Sequence, residues 1–335
     1  MLNAFVRAAV IGACACASAS DRVQTSPPPP ACSMPEADRA WIDRALEAWR
    51  FASREITGIS RVPRYRAIIF NAECVLTSDD ALTSPGAQGV TWSAVPHAGT
   101  ITLPDGERIP AGVTSFTSGK DGSFWLVMST PSVWEAGGVG KGPSLATTMV
   151  AVLLHEGSHV AQLGPYGPRL GALIERNALP DSFGDDAVQE RFQSNPEFAA
   201  SVQRETGMFL EAAVKEDDDE AKLLAFEARE LMRGRAARWL VGDDAYLVEA
   251  EDVWLTFDGT GQWVGYQWLI HPRGGAQAPA DVMPRFARGH SWVQTEGFAV
   301  VMALDRVVGP GWKSHAFGDG EQTVLAMLDA ALAEQ

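Results

Sequence analysis

Positive charge is scarce in this chain. Its 335 residues include 27 lysines and arginines against 42 aspartates and glutamates, so the formal net charge is -15. An excess of negative charge repels the phosphate backbone of nucleic acids and the anionic surface of membranes. The composition therefore argues against a nucleic-acid-binding protein.

Long apolar runs and internal repeats are also missing. Beyond the N-terminal segment, no apolar run is long enough to span a bilayer, and no segment recurs at a fixed period. These absences argue against an integral membrane protein and a repeat array. Because 46% of the residues are hydrophobic, the chain can bury a substantial core. We predict a single domain over residues 38–335.

Cysteine is rare, and two of the four cysteines lie near the N-terminus. There Arg7 precedes a short apolar run that ends in Ala-Ser-Ala, a pattern typical of an export signal. We predict a signal peptide over residues 1–19 and export to the periplasm or cell envelope. Alternatively, "IGAC" resembles an imperfect lipoprotein motif, in which case Cys14 would carry a lipid anchor.

The other two cysteines, Cys32 and Cys74, leave two possibilities open. An oxidising compartment favours a disulfide between them, which would tie the N-terminal arm to the domain. Alternatively, Cys74 is a buried thiol and Cys32 is free.

The rest of the chain falls into segments of different pattern. Residues 20–37 are rich in proline and serine, which predicts an extended, solvated linker. From Asp38 the apolar spacing predicts an amphipathic helix that stops near Gly58. Residues 64–131 alternate between β-rich runs and turn signals, at 104–106 and 120–122, as in an antiparallel meander. Residues 143–335 have helical periodicity, so the predicted fold class is α+β. Besides the first helix of this part, the predicted helical runs are 185–192, 196–214, 219–240, 246–270, 292–308 and 321–335.

A histidine motif lies near the start of the helical part, in "VLLHEGSHVAQ". Residues four apart share one face of an α-helix, so His155 and His159 can bind one zinc ion through their imidazoles. Glu156 follows the first histidine and is turned away from that face, where it can act as a general base on a water at the metal. The alternative is a buried, hydrogen-bonded histidine pair.

On this "HEGSH" motif the chain resembles the HExxH zinc metallopeptidases of the gluzincin type. It is also similar to exported bacterial metallopeptidase-like proteins in which a later helix carries Glu-Gly, a small residue and an aromatic one. The resemblance implies a zincin-like fold, a Zn²⁺ cofactor, a peptide or protein substrate and hydrolysis of peptide bonds.

The resemblance further implies a carboxylate ligand from a later helix. The best match is "TFDGTGQWVGYQWL", where Asp258 occupies the place of the glutamate. Because aspartate is one methylene shorter, its helix must approach the histidine helix by about another 1.5 Å, which Gly259 and Gly261 would permit. Glu296, in "TEGFAVVMALD", ranks second for this role and Glu251 ranks third.

Two further expectations concern function. The strand-like run at residues 124–130, "FWLVMST", is predicted to offer its edge to an extended peptide. The replacement of glutamate by Asp258 motivates the alternative function, a catalytically inactive zincin-fold protein with a binding or scaffolding role in the envelope. An oxyanion donor cannot be selected from the other histidines and two tyrosines that we considered: His97, His271, His290, His315, Tyr246 and Tyr266.

Overall fold

A computed structural model of the chain describes residues 32–59, 65–79, 90–120, 122–180, 183–319 and 322–333. The predicted signal peptide, Cys14 and residues 20–31 of the predicted linker lie outside these ranges. Within them the protein is α+β, as predicted, with an N-terminal mixed sheet followed by a mostly helical part. None of the described helices combines the length and apolar character needed to cross a membrane.

The first helix is the predicted amphipathic one. It spans Glu36–Phe51 (α1) and continues as a short π-helical turn over Ala52–Ile56. Just beyond, Gly58 has a φ of 69°, a left-handed conformation that favours glycine, so the helix ends where the sequence predicted. Its start at Glu36 lies inside the segment predicted to be a linker.

Seven strands lie in the described part of the chain. Their bounds are Tyr65–Phe70 (β1), Cys74–Ser78 (β2), Trp92–Pro96 (β3), Thr100–Thr102 (β4), Arg108–Pro110 (β5), Ser115–Lys120 (β6) and Ser123–Ser129 (β7). Strands β4 and β5 form a separate hairpin around the predicted turn at 104–106. The other five form one sheet in the order β3-β2-β1-β7-β6.

The five-stranded sheet is mixed, so the antiparallel meander predicted over residues 64–131 is wrong at one position. Strands β1 and β7 pair in parallel, with Ile68 opposite Val127, whereas the other three pairs are antiparallel. The chain passes through β2 to β6 before β7 returns beside β1. Alternation along a strand does not depend on the direction of its neighbour, so the pattern could not reveal this pairing.

The helical part contains every long helix that periodicity predicted, together with two short helices that it did not, α2 and α8. The bounds are Pro131–Ala136 (α2), Gly142–Arg176 (α3), Ala187–Phe192 (α4), Pro196–Val214 (α5), Asp218–Trp239 (α6), Leu247–Ile270 (α7), Pro279–Phe286 (α8), Trp292–Val308 (α9) and Val324–Ala333 (α10). Helix α3 carries the histidine motif and packs against both β6 and α7.

Helix α7 occupies the centre of the helical part and packs against α3 and α9. Gly259 of α7 faces Gly297 of α9 so closely that a Cβ on Gly259 would lie 2.4 Å from the carbonyl oxygen of Gly297. The two backbones therefore touch, and a methyl group at Gly259 would force the helices apart. This contact holds the middle of α7, including Asp258, deep in the core.

A disulfide anchors the start of the described chain to the sheet. Cys32 is bonded to Cys74, the first residue of β2, with 5.8 Å between their Cα atoms. Met34 is buried beside it, with 4% of its surface exposed. Cys32 and Met34 thus contact the domain, while the residues around Met34 are exposed. Of the two possibilities for the cysteines, the structure shows the disulfide.

We expect reduction of this disulfide to lower the free energy of unfolding by about 2–4 kcal/mol, because the intact bond restricts a long loop in the unfolded chain. Urea unfolding with and without reductant measures the difference. The variant Cys74→Ser is the control, since it should show the lower stability and no further response to reductant. Identical unfolding of the wild type under both conditions would contradict the prediction.

Candidate metal centre

Three predicted metal-ligating side chains meet in the core. His155 and His159 lie one turn apart in the middle of α3, and their Nε2 atoms are 2.8 Å from each other. Asp258, from α7, brings Oδ1 to 3.5 Å from Nε2 of His155. One ligand atom from each of the three lies within 4.8 Å of the others, and all three residues are buried. The group could hold a metal ion.

The short side chain of Asp258 reaches the histidines because α7 packs directly on α3. A Cβ at Gly261 would lie 2.7 Å from Nδ1 of His155, so the imidazole rests against the bare backbone of α7. One turn further along, Gly265 meets the carbonyl oxygen of Ala151. The close approach that an aspartate ligand requires is therefore present.

The distances suit a tetrahedral ion. Two donors at 2.0–2.1 Å from one zinc lie roughly 3.3 Å apart, so the 3.5 Å between His155 and Asp258 fits, and the imidazoles need to separate by about half an ångström. The carboxylate of Asp258 is fully buried, yet neither of its oxygens has a hydrogen-bond partner within the described structure. A buried polar atom without a hydrogen bond costs about 1–3 kcal/mol in folding free energy, and a bound cation would offset this cost.

The electrostatics of the two histidines favour metal binding. Burial lowers the pKa of His155, although nearby Glu156 acts in the opposite direction. The pKa of His159 is lowered well below its usual value by burial and by His155, against a smaller opposing effect of Gln162. Both imidazoles are consequently neutral near pH 7, which is the form that ligates metals.

The acidic side of the centre lacks a compensating cation. Burial raises the pKa of Asp258 to about 8, and the neighbouring Asp186 adds to this effect. The amide side chain of Gln294, which is near but forms no hydrogen bond of normal geometry with the carboxylate, acts in the opposite direction. Asp185 likewise has a raised pKa, first through burial and then through Asp258 and Asp186. In the described ranges no lysine or arginine forms an ion pair with these three aspartates. Without a cation, burial therefore favours the protonated forms of Asp258 and Asp185, whereas a bound metal ion would stabilise their charged forms.

Glu156 lies beside the metal-ligating group without belonging to it. The hydroxyl of Ser115 donates to Oε1 at 2.5 Å, and that of Thr117 donates to the Glu156 carbonyl at 2.8 Å and to Oε2 at 3.4 Å. Burial raises the pKa of Glu156 to about 7, against the lowering effects of His155 and Ser115. Sequence reasoning missed Ser115 and Thr117, although their alternation on one strand face was a usable signal.

Glu251 and Glu296, the other two candidates for the third metal ligand, bond Arg235 in a different part of the core. Arg235 of α6 is buried and donates from Nη1 to Glu251 at 2.8 Å and from Nη2 to Glu296 at 3.1 Å. Its Nε bonds a third carboxylate, Glu205, at 2.9 Å. Neither Glu251 nor Glu296 belongs to the metal-ligating group. The four side chains come from α5, α6, α7 and α9 and tie that helix bundle together.

The strand predicted to bind a peptide through its edge has no free edge. Strand β7, which contains most of residues 124–130, pairs with β1 on one side and β6 on the other. That prediction is wrong because strand order in a sheet is a tertiary property that the run itself does not encode. The strands at the edges of the sheet are β3 and β6, and β6 packs against α3.

A cavity of about 250 Å³ lies beside the centre. His155 lines it, whereas His159, Asp258 and Glu156 do not. The opposite wall comes from α8, the following loop and the start of α9, including Arg285, Arg288, His290 and Gln294. Of the remaining histidines that the sequence raised as candidates, His290 lies in this cavity. His97 instead bonds the carbonyl oxygen of Asn71 at the sheet.

Comparison of the chain with protein-family models, curated proteins and solved structures finds no match.

We expect Arg235→Ala to lower the free energy of unfolding by about 3–5 kcal/mol, because it leaves buried carboxylates without their cation. The same substitution at Arg233, two residues away on α6 and paired at the surface with Glu230, should cost about 0–1 kcal/mol. Denaturant unfolding of both variants measures the difference. Equal losses would show that the buried cluster does not stabilise the bundle.

We expect the purified protein to bind about one divalent metal ion per chain, and Asp258→Asn or His155→Ala to abolish this binding. Glu251→Gln and Glu296→Gln are matched controls that should keep the metal, since those carboxylates bond Arg235. Elemental analysis gives the metal content, and a chelator should lower the melting temperature of the wild type. A wild type that neither contains nor takes up metal would support the alternative of a hydrogen-bonded histidine pair.

Proposed function

We propose that this protein is an exported zinc-dependent metallopeptidase that hydrolyses peptide bonds. The observation that carries the proposal is the buried group of His155, His159 and Asp258, in which a carboxylate without hydrogen-bond partners faces two neutral imidazoles. The cavity lined by His155 would place a substrate beside this group. We also propose that the fold is zincin-like.

The donor set supports zinc as the metal. Two imidazole nitrogens and one carboxylate oxygen are a common ligand set for catalytic zinc, and three protein ligands leave the fourth position of a tetrahedron open. Zinc bound there supplies a water of lowered pKa and a Lewis acid that polarises the substrate carbonyl. Such a centre is suited to hydrolysis of an amide.

In the proposed reaction Glu156 moves the proton. Ser115 fixes Oε1 by a short hydrogen bond, while Oε2 has only the longer contact with Thr117 and is the better acceptor. A carboxylate whose pKa is about 7 can accept a proton from the attacking water and then donate it to the nitrogen of the leaving amine. Burial, which excludes competing water, is the main cause of that raised pKa.

The disulfide and the size of the cavity bear on the compartment and the substrate. The Cys32–Cys74 disulfide supports an oxidising compartment, which agrees with export to the periplasm or cell envelope. The cavity volume of about 250 Å³ accommodates only part of a peptide, so a peptide or protein substrate would insert a few residues and leave the rest outside.

The alternative function is a catalytically inactive binding or scaffolding protein of the envelope. The observation that favours it is the complete burial of Glu156, whose two oxygens both contact hydroxyl groups of β6. Glu156 also does not line the cavity, whereas a general base must exchange its proton with a water there.

We expect Glu156→Gln to retain the bound zinc and to lower kcat/KM for peptide cleavage by about 10²–10⁴, because the amide cannot accept the proton. The control is Glu175→Gln, the same substitution at an exposed position of α3, which should leave cleavage unchanged. A quenched fluorescent peptide library and elemental analysis provide the measurements. Zinc-loaded wild type that cleaves no peptide of the library would favour the inactive binding protein.

A further inference from the structure

We propose that the cavity beside the metal centre recognises its peptide through a carboxylate group, which Arg285 and Arg288 bind. The inference rests on the proposed function, because it names the substrate class of the same site. It follows from three features of the cavity: its charged side chains, the absence of partners for them and their position relative to His155.

The first feature is the cationic wall. Arg285, in the last turn of α8, and Arg288, in the loop that follows, both line the cavity, and His290 lies next to them. The chain as a whole has a net charge of -15. Arg285 and Arg288 are exposed, and two guanidinium groups that line one cavity create a local positive potential on an otherwise acidic molecule, which would attract an anionic group.

The second feature is that these two arginines have no partner. In the described residues neither forms an ion pair or a hydrogen bond with another side chain. Most other arginines of the helical part do pair with carboxylates, namely Arg169, Arg176, Arg191, Arg229, Arg233, Arg235, Arg238 and Arg306. A protein so rich in acidic residues leaves two cavity arginines unpaired, so both are available to a ligand.

The third feature is the arrangement of the cavity. His155 lines the same cavity as the two arginines, which come from the wall built by α8 and its loop. A guanidinium presents a planar fork of N–H donors that matches the two oxygens of a carboxylate. A peptide whose carboxylate pairs with this wall would place a nearby peptide bond at the metal-ligating group.

Two groups of a peptide supply this chemistry, the free C-terminal carboxylate and an acidic side chain. Both would pair with the same guanidinium groups, and peptides of different design distinguish them. A requirement for the free terminus would indicate removal of residues from the C-terminal end of a substrate. Recognition of an amidated peptide with an internal glutamate would indicate cleavage within a chain.

The experiment measures binding to the full-length, zinc-loaded Glu156→Gln variant, which should hold the peptide without cutting it. The probes are three N-terminally labelled peptides read by fluorescence anisotropy: tetra-alanine with a free carboxylate, its C-terminal amide, and an amidated tetrapeptide with one glutamate. We expect at least one carboxylate-bearing probe to bind about tenfold more tightly than the neutral amide. In that background Arg285→Gln and Arg288→Gln should each reduce this preference, and the double variant should abolish it.

The control is Arg204→Gln, which removes the same charge from an exposed position on α5 away from the cavity. It should leave the preference intact. Equal or absent binding of the three probes, or a preference that survives in the double variant, overturns the inference. Zinc content measured on the same samples separates this outcome from failure of the proposed function, which would appear as wild-type protein without zinc.

Discussion

The structure depends on the cost of burying a charged group without a partner. Asp258 has no exposed surface, and both of its oxygens lack hydrogen-bond donors in the part of the chain that the structure describes. A carboxylate in that position either keeps a proton or binds a cation, and the two neutral imidazoles opposite it can complete a metal site. The candidate metal centre depends on this buried carboxylate without a hydrogen-bond partner and on the close packing that keeps water away from it.

A second buried carboxylate of α7, two turns before Asp258, is stabilised by a side-chain cation. Glu251 also lies buried, but there Arg235 supplies a cation and bonds Glu205 and Glu296 as well. One helix therefore carries two buried carboxylates with different partners. The acidic side chains around Arg235 are used for packing of the bundle, whereas Asp258 lies on the α3 side of α7, where the side chains across the interface are histidines. The glycines of α7 make both arrangements possible, because they let α3 and α9 approach its backbone.

Much of the architecture was accessible from patterns in the chain. Period-3.6 spacing predicted α5 and α9 over the same residues that the structure shows, and it located α6 and α7 to within a few residues. Of the three short helices, α4 was predicted but α2 and α8 escaped prediction, because six to eight residues give only a weak periodic signal. Strand direction escaped as well, since β7 alternates in the same way beside a parallel or an antiparallel neighbour.

The local elements of the site can be read from the chain alone: two histidines one helical turn apart, the glutamate between them, and a later helix with an acidic residue among glycines. These follow from helix geometry, which depends only on residues a few positions away. Long-range packing selects Asp258 over Glu251 and Glu296 as the carboxylate that faces the histidines. It also brings Ser115 and Thr117 to Glu156 and places two unpaired arginines in the cavity. Such choices depend on how whole helices rotate and pack, and the distances involved join residues that lie far apart along the chain.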